Sequence, residues 1–217
     1  ELVSLLQTHG FGVLTTDLSA ASDLVFVIVF DGLDLQVAVV HGKEGSRSLI
    51  NYETVFAEID GVRLDPEYRR LTGAKVAVVG CGSVGSKVAV QLARSGVGGF
   101  VLVDGDVLAS GNLVRNELDW RAVGIHKAPA LAARLKEVST DCIVATRTTV
   151  MGGQESGGTL SATMRDIEDC DLIIDATADA AVFNLCAAIA RRAKKPMCWA
   201  QVFGGGAGGI VVRLRPN

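Results

Sequence analysis

Val76-Ala77-Val78-Val79-Gly80-Cys81-Gly82-Ser83-Val84-Gly85 is a short apolar run broken by Gly-x-Gly-x-x-Gly. A buried strand leading into such a turn brings backbone N–H groups up to a nucleotide phosphate. The first glycine permits the tight bend, the second lets phosphate approach, and the third lets helix and strand pack closely. The unpaired N–H groups and positive dipole end of a helix starting near Ser83 favour an anion. Gly80, Gly82, Ser83 and Gly85 are therefore candidate nucleotide-binding residues.

From Lys75 onward the pattern of strand then helix repeats. Helix Val84–Ser95, closed by Gly96, leads to strand Phe100–Asp104, helix His126–Val138, strand Cys142–Val150 and a weaker helix near Leu160–Ile167. Strand Leu172–Asp175, helix Ala180–Ala193 and strands Met197–Phe203 and Gly209–Leu214 follow. This alternation predicts an α/β, Rossmann-like domain over residues 65–217, with a mainly parallel sheet and helices on both faces. Ligands of such sheets sit beyond the carboxyl ends of the strands.

Upstream, residues 1–64 read as a small α+β segment. It has an amphipathic start (Leu2, Leu5, Leu6) and apolar runs at Phe11–Thr15, Leu24–Phe30 and Leu35–Val40. Asp31-Gly32 between the last two runs predicts a hairpin. Leu49–Ile59 is apolar without a clear period, and Asp65-Pro66-Glu67 is a helix start with proline in the first turn.

Composition bounds the function. The chain has 217 residues, 49% of them hydrophobic, enough for one sizeable core or a main domain with an appendage. Its longest apolar run, Leu24–Phe30, is too short to cross a bilayer, and no secretory signal opens the chain, so a cytoplasmic protein is expected. A net charge of −3 with two Trp and two Tyr argues against nucleic acid as the main ligand. Five scattered cysteines with no Cys-x-x-Cys encode neither a zinc site nor a disulfide framework. The chain starts at Glu1 and stops directly after an apolar segment, as a fragment of a longer protein would.

The residues after the glycine turn carry the chemistry. Asp104 ends the second strand of the domain 19 residues past Gly85, where a carboxylate bridges two ribose hydroxyls. NAD and ATP share that ribose. Asp106 is a second candidate there, although Asp104-Gly105-Asp106 is equally turn chemistry. Asn112, Arg115 and Lys127 separate the two nucleotides, since a dinucleotide site has little use for all three beyond the second strand. Arg offers phosphate a planar fork and Lys a point charge, and both would stabilise charge building on a departing pyrophosphate. Taken singly, Asn112 could shape a turn and Arg115 cap a short helix around Asn116–Trp120. Asp179, leaving the Leu172–Asp175 strand, could hold Mg²⁺ or serve as an ordinary helix N-cap.

Residues 68–215 resemble the adenylation domain of the ThiF-type superfamily, the ubiquitin-activating-like enzymes that include sulfur-carrier adenylyltransferases. The resemblance rests on Gly80-Cys-Gly82-Ser-Val-Gly85, Gly96-Val-Gly-Gly-Phe-Val-Leu-Val-Asp104-Gly-Asp106, Asn112-Leu-Val-Arg115-Asn116, Val123-Gly-Ile-His-Lys127-Ala and Asp175-Ala-Thr177. The closing strand, Gly-rich loop and strand complete it, and the flanking segments around Leu64–Leu71 and Gly208–Pro216 resemble a bacterial branch. The resemblance implies activation of a carboxylate with Mg-ATP, giving an acyl adenylate and pyrophosphate. The implied substrate is the C-terminus of a ubiquitin-like or sulfur-carrier protein, or a peptide, and the implied assembly is a homodimer. By that likeness Asp104 binds ribose, and Asn112, Arg115 and Lys127 handle phosphates. The chain departs from the family in three places. Ala178 stands where the magnesium-binding aspartate usually follows the Thr, so Asp179 is one position late. Lys127 is one residue closer to Arg115, and the upstream Arg-Gln-rich segment has no counterpart. Bacterial relatives join a conjugating-enzyme-like domain to this one, yet residues 1–80 contain no cysteine. Two alternatives stand beside this reading. An NAD-dependent oxidoreductase would leave Asn112, Arg115 and Lys127 idle. A non-catalytic partner subunit would account for the displaced Asp179.

Overall fold

The computed structural model describes Thr8 and residues 24–31, 34–43, 45–53, 66–153 and 155–216. The chain divides into two compact units, Glu1–Gly61 and Val62–Asn217.

In the first unit, β1 (Leu24–Asp31), β2 (Asp34–His41) and β3 (Ser48–Tyr52) form an antiparallel sheet in that order. The β1–β2 register closes at Asp31↔Asp34, the hairpin expected at Asp31-Gly32. On β1 alternation sets the faces, with Val27 buried between exposed Phe26 and Ile28, whereas Ala38, Val39 and Val40 of β2 are all buried. The expected amphipathic start at Leu2, Leu5 and Leu6, the run Phe11–Thr15, residues 54–59 and Asp65 lie outside the described residues.

The second unit opens with a 3₁₀ helix, Pro66–Gly73, where the Pro-led signal predicted a helix. Six strands follow: β4 (Lys75–Val79), β5 (Gly99–Val103), β6 (Ile143–Arg147), β7 (Leu172–Asp175), β8 (Met197–Phe203) and β9 (Gly208–Leu214). Their order is β6-β5-β4-β7-β8-β9, parallel throughout except for β9, which runs antiparallel to β8. Helices α1 (Ser83–Arg94), α2 (Lys127–Val138), α3 (Gly157–Glu168) and α4 (Ala180–Ala193) supply the crossovers.

The continuous apolar runs have a direct cause, because each central strand feeds two cores. Val76 and Val78 of β4, with Phe100 and Leu102 of β5, pack with Ala89, Val90 and Ala93 of α1 and Leu131 and Leu135 of α2. The alternate residues Ala77, Val79, Val101 and Val103 pack with Ile167 of α3 and Val182, Cys186 and Ile189 of α4. Each large aliphatic side chain so buried contributes about 1.5–3 kcal/mol. The chain leaves β4 toward β5 on one side, while β7 lies on the other, so strand order reverses at β4. Val79 pairs with both Val103 and Asp175, which brings Gly80, Asp104 and Ala176 to one level at the carboxyl edge.

Two expectations are corrected. The strand predicted over Cys142–Val150 ends its ladder at Arg147. Beyond it, Thr149 turns its hydroxyl to Thr163 at 3.0 Å and the Val150 N–H donates to Glu155, so the backbone leaves the sheet. The short helix expected around Asn116–Trp120 is replaced by a turn between 3₁₀ turns at Ser110–Asn112 and Trp120–Ala122. There the Asn116 amide takes backbone partners that compete with helix formation. Among the described residues no helix is long and apolar enough to cross a membrane.

Candidate nucleotide-binding site

A cleft of about 320 Å³ opens beyond the carboxyl ends of β4, β5, β6 and β7. It is lined by Gly80 and Gly82, by Asp104, Gly105 and Asp106, by Lys127, by Thr149–Met151, and by Ala176, Thr177 and Asp179. This is the switch point of the sheet, where open α/β folds bind ligands.

The glycines divide their work. Gly80 has φ +88°, and a methyl there would meet Thr177 Cγ2 at 2.9 Å. A methyl on Gly85 would sit 1.8 Å from the Gly80 carbonyl oxygen, so helix and turn touch without room for a side chain. In front of Gly82 there is open space. Gly82 is also the N-cap of α1, and among the described residues no side chain caps this helix and no acid stands in its first turn. The helix end therefore keeps its N–H groups and its dipole for an external anion. Gly80 and Gly82 line the cleft, whereas Ser83 and Gly85 open the helix beside it.

Asp104 follows β5 and is tied on both oxygens: Oδ2 accepts from the Cys81 N–H at 2.7 Å and Oδ1 from the Asp106 N–H at 2.8 Å. Each carboxylate oxygen can accept again, so the ribose-binding capacity survives. Burial raises Asp104 above the usual carboxylate range, and the two N–H donors pull it partly back. Asp106 is exposed and holds the Lys127 ammonium at 2.7 Å, and its carbonyl accepts the Lys127 N–H at 2.9 Å. Only 12% of the Lys127 side chain is exposed, against 70% for Asp106. A pair with so wet a carboxylate adds little stability, and its effect is to aim the ammonium into the cleft.

Of the remaining candidates, Asn112 and Arg115 do not line this cleft. Asn112 uses Oδ1 to accept the Ala109 N–H at 3.0 Å, the turn-shaping role. Arg115 is exposed on the same turn, and among the described residues its guanidinium has no hydrogen-bonding or ion-pairing partner. Asp179 does line the cleft and also caps α4: its Oδ1 accepts from Ala181 N–H at 2.7 Å and Val182 N–H at 3.1 Å. The extra residue before it, Ala178, is held at φ +60°. Oδ2 of Asp179 has no hydrogen bond among the described residues, and no cluster of three or more His, Cys, Asp or Glu is present among them to cage a cation. That donor set fits Mg²⁺, which binds through one or two carboxylates and takes its other ligands from phosphates and water.

Sequence reasoning passed over Thr149, Val150 and Met151, and quoted Asp175 and Asn116 within motifs without giving either a role. Thr149, Val150 and Met151 follow β6 into the cleft, and the rule that ligands sit at strand ends could have found them. Asp175 is fully buried, and its Oδ1 accepts the Thr177 hydroxyl at 2.6 Å and the Thr177 N–H at 3.0 Å. Burial raises this carboxyl too. Asn116 reaches back to the glycine turn, donating to the Cys81 carbonyl at 3.1 Å. The five cysteines are free, and all but Cys198 are buried. Burial lifts the Cys81 thiol far above its ordinary range and Cys186 to about 12, so neither offers a thiolate near neutrality.

Over 121 residues the chain is 31% identical to the ATP-dependent ubiquitin transferase-like protein Cap2 of Enterobacter hormaechei, a match covering 56% of this chain and 19% of Cap2. Over 77 residues it is 43% identical to the mouse adenylyltransferase and sulfurtransferase MOCS3, covering 34% of this chain and 17% of MOCS3. The chain thus spans about a fifth of the length of these curated relatives. Among solved structures, Escherichia coli MccB with ATP superposes with a TM-score of 0.56 at 23% identity, covering 63% of this chain and 40% of MccB, which shows a shared fold. The ThiF family model matches residues 55–217, three quarters of the chain, and the protein belongs to the ThiF family.

Proposed function

We propose that this protein uses ATP to adenylate a carboxylate, releasing pyrophosphate and leaving an acyl adenylate. The observation that carries the reading is the open space before Gly82 at an uncapped helix end, shared in one cleft with Asp104 and Lys127. In this reading the phosphates lie on the turn from Gly80 to Ser83 and the ribose hydroxyls donate to Asp104. A carboxylate oxygen attacks the α-phosphorus, and the bond to the bridging oxygen of pyrophosphate breaks. Lys127 exchanges Asp106 for phosphate when ATP binds and stabilises the charge that develops as that bond breaks. Arg115, on a surface turn, would reach the phosphates only with a shift of that turn. Asp179, through Oδ2, would hold Mg²⁺, which would neutralise part of the triphosphate charge. No covalent nucleophile is required, because positioning and charge stabilisation suffice.

The acyl substrate in this reading is the C-terminus of a ubiquitin-like or sulfur-carrier protein, or a peptide, handled in the cytoplasm by a homodimer. Cap2, a ubiquitin transferase-like protein, and MOCS3, an adenylyltransferase and sulfurtransferase, support that class. ATP–pyrophosphate exchange by the full-length protein, stimulated by such a carboxylate, is the test. Failure of the full-length protein to bind Mg-ATP would remove the reading. A second reading, a non-catalytic partner subunit, draws on Ala178 in the family's aspartate position and on Arg115 outside the cleft. Tight ATP binding with no exchange under any acceptor would favour it.

A further inference from the structure

Asn116 is 9% exposed, although Val114, Arg115 and Trp120 around it are exposed. Both ends of its amide are spent on backbone. Nδ2 donates to the Cys81 carbonyl at 3.1 Å, and Oδ1 accepts the Leu118 N–H at 3.1 Å. The partners fix the orientation, since a flipped amide would set oxygen against oxygen and N–H against N–H. A second tie runs alongside: the Glu117 N–H donates at 3.2 Å to Oγ of Ser86, a fully buried serine of α1. The turn after β5 is thus fastened to the turn after β4 across 35 residues of sequence.

The fastening has a stereochemical result. Asp104 holds the Cys81 N–H and Asn116 holds the Cys81 carbonyl, so neither peptide plane beside Cys81 can rotate freely. In a planar trans peptide the N–H of Gly82 lies antiparallel to the carbonyl of Cys81. With that carbonyl turned to Asn116, the Gly82 N–H is directed the other way. Gly82 lines the cleft, has open space before its Cα, and among the described residues its N–H has no acceptor. A flipped peptide would instead present a carbonyl oxygen to an anion.

We propose that Asn116 is a positioning residue for the phosphates of the nucleotide, presetting the Gly82 N–H as an anion donor. The inference rests on the reading of the cleft as an ATP site. Asn116 also belongs to the turn that carries Arg115, since the backbone N–H groups of both residues donate to the Asn112 carbonyl.

The test is calorimetric binding of ATP and of adenosine to the full-length protein and to Asn116→Leu, a neutral change of similar volume, with thermal unfolding measured in parallel. ATP should bind at least about tenfold more weakly to the variant, about 1.4 kcal/mol, while adenosine, which has no phosphate, stays within about twofold. Unchanged ATP affinity overturns the inference. An equal loss for ATP and adenosine also overturns it, by making Asn116 a packing residue only. If the leucine variant does not fold, Asn116→Ser carries the same comparison. Wild-type protein that binds no ATP removes the parent reading together with this one, whereas wild-type binding with an unaffected variant removes this one alone.

Discussion

Two strand-to-helix turns meet at the carboxyl edge of the sheet, and they treat their helices in opposite ways. The turn from β4 to α1 ends in Gly82 with no capping side chain, whereas the turn from β7 to α4 ends in Asp179, whose carboxylate caps two N–H groups. Both need a residue in the left-handed region, supplied by Gly80 at φ +88° in one and by Ala178 at φ +60° in the other. One helix has its anion built in, and the other leaves its end free for a ligand. A carboxylate already committed to a cap can give a metal only its remaining oxygen, so the second turn serves structure first and ligand second.

Glycine substitutions break that contrast most severely. Gly85→Ala gains about 1 kcal/mol of helix propensity, but its methyl would lie 1.8 Å from a backbone oxygen that cannot move alone. Steric displacement wins, and chemical denaturation should show a net loss of about 3 kcal/mol. Gly82→Ala meets nothing within 4 Å but replaces a tolerated N-cap by a poor one, so stability should fall by no more than about 1 kcal/mol. If phosphate occupies that space as proposed, ATP affinity should fall at least about tenfold. Equal damage from both changes would mean that the space before Gly82 is not a ligand site.

In the proposed reading Asp104 joins the open turn to the ribose, and its titration tests that assignment. Loss of a charged acceptor facing two hydroxyls should cost about 1.5–3 kcal/mol of adenosine affinity in Asp104→Asn. Because burial raises this carboxyl, it takes up a proton at a higher pH than the ordinary value near 4. Adenosine affinity of the wild type should therefore fall on acidification with a midpoint above about 4, and the profile of Asp104→Asn should be flat there. Stability runs the other way. A raised pKa in the folded state means a contribution fully present below the unfolded value and lost as pH rises through the folded one. The stability difference between wild type and Asp104→Asn should accordingly shift in favour of the variant from mildly acid pH to neutrality. A midpoint at or below about 4 would show that the carboxyl is not held in a dry site.

The two roles of Asp179 separate by substitution. Asp179→Ala removes the cap and should cost about 1 kcal/mol of stability, together with any Mg²⁺ dependence of ATP binding. Asp179→Ser keeps a capping oxygen but no charge, so stability should return while the Mg²⁺ effect stays lost. Retention of the Mg²⁺ effect in both would place the metal elsewhere.

How much of this was legible follows from how local each cause is. The glycine turn is specified within ten residues, and the two-faced burial of β4 and β5 is written as unbroken apolar runs. Yet β1, Leu24–Asp31, is as apolar as β4 and lies in a sheet that leaves Phe26 and Ile28 exposed, so hydrophobicity alone did not reveal surroundings. Lys127, expected near the phosphates, lines the cleft because it starts a helix beside the strand ends. Arg115 was expected beside it but lies outside the cleft lining, because its position depends on a turn tied to Cys81 and Ser86 through Asn116 and Glu117. Such ties span tens of residues and leave no periodic trace. Thr149–Met151 entered the site only because the β6 ladder stops early, which depends on the Thr149–Thr163 contact.

The smallest effect concerns Ala178, and its sign is decided by two competing terms. An alanine held at φ +60° costs about 1–2 kcal/mol relative to the right-handed region, a cost that glycine does not bear. Glycine in exchange makes the unfolded chain more flexible, which removes about 0.4–1 kcal/mol. Ala178 is exposed, so no packing is lost on removing its methyl. Ala178→Gly should therefore stabilise the protein by about 0.5–1 kcal/mol, seen as a higher denaturation midpoint with an unchanged slope. Stabilisation without any change in ATP affinity would mean that the second turn is set independently of the first. A simultaneous change in ATP affinity would mean that the backbone at Ala178 and the ligand space before Gly82 move together, through the contact of Gly80 with Thr177.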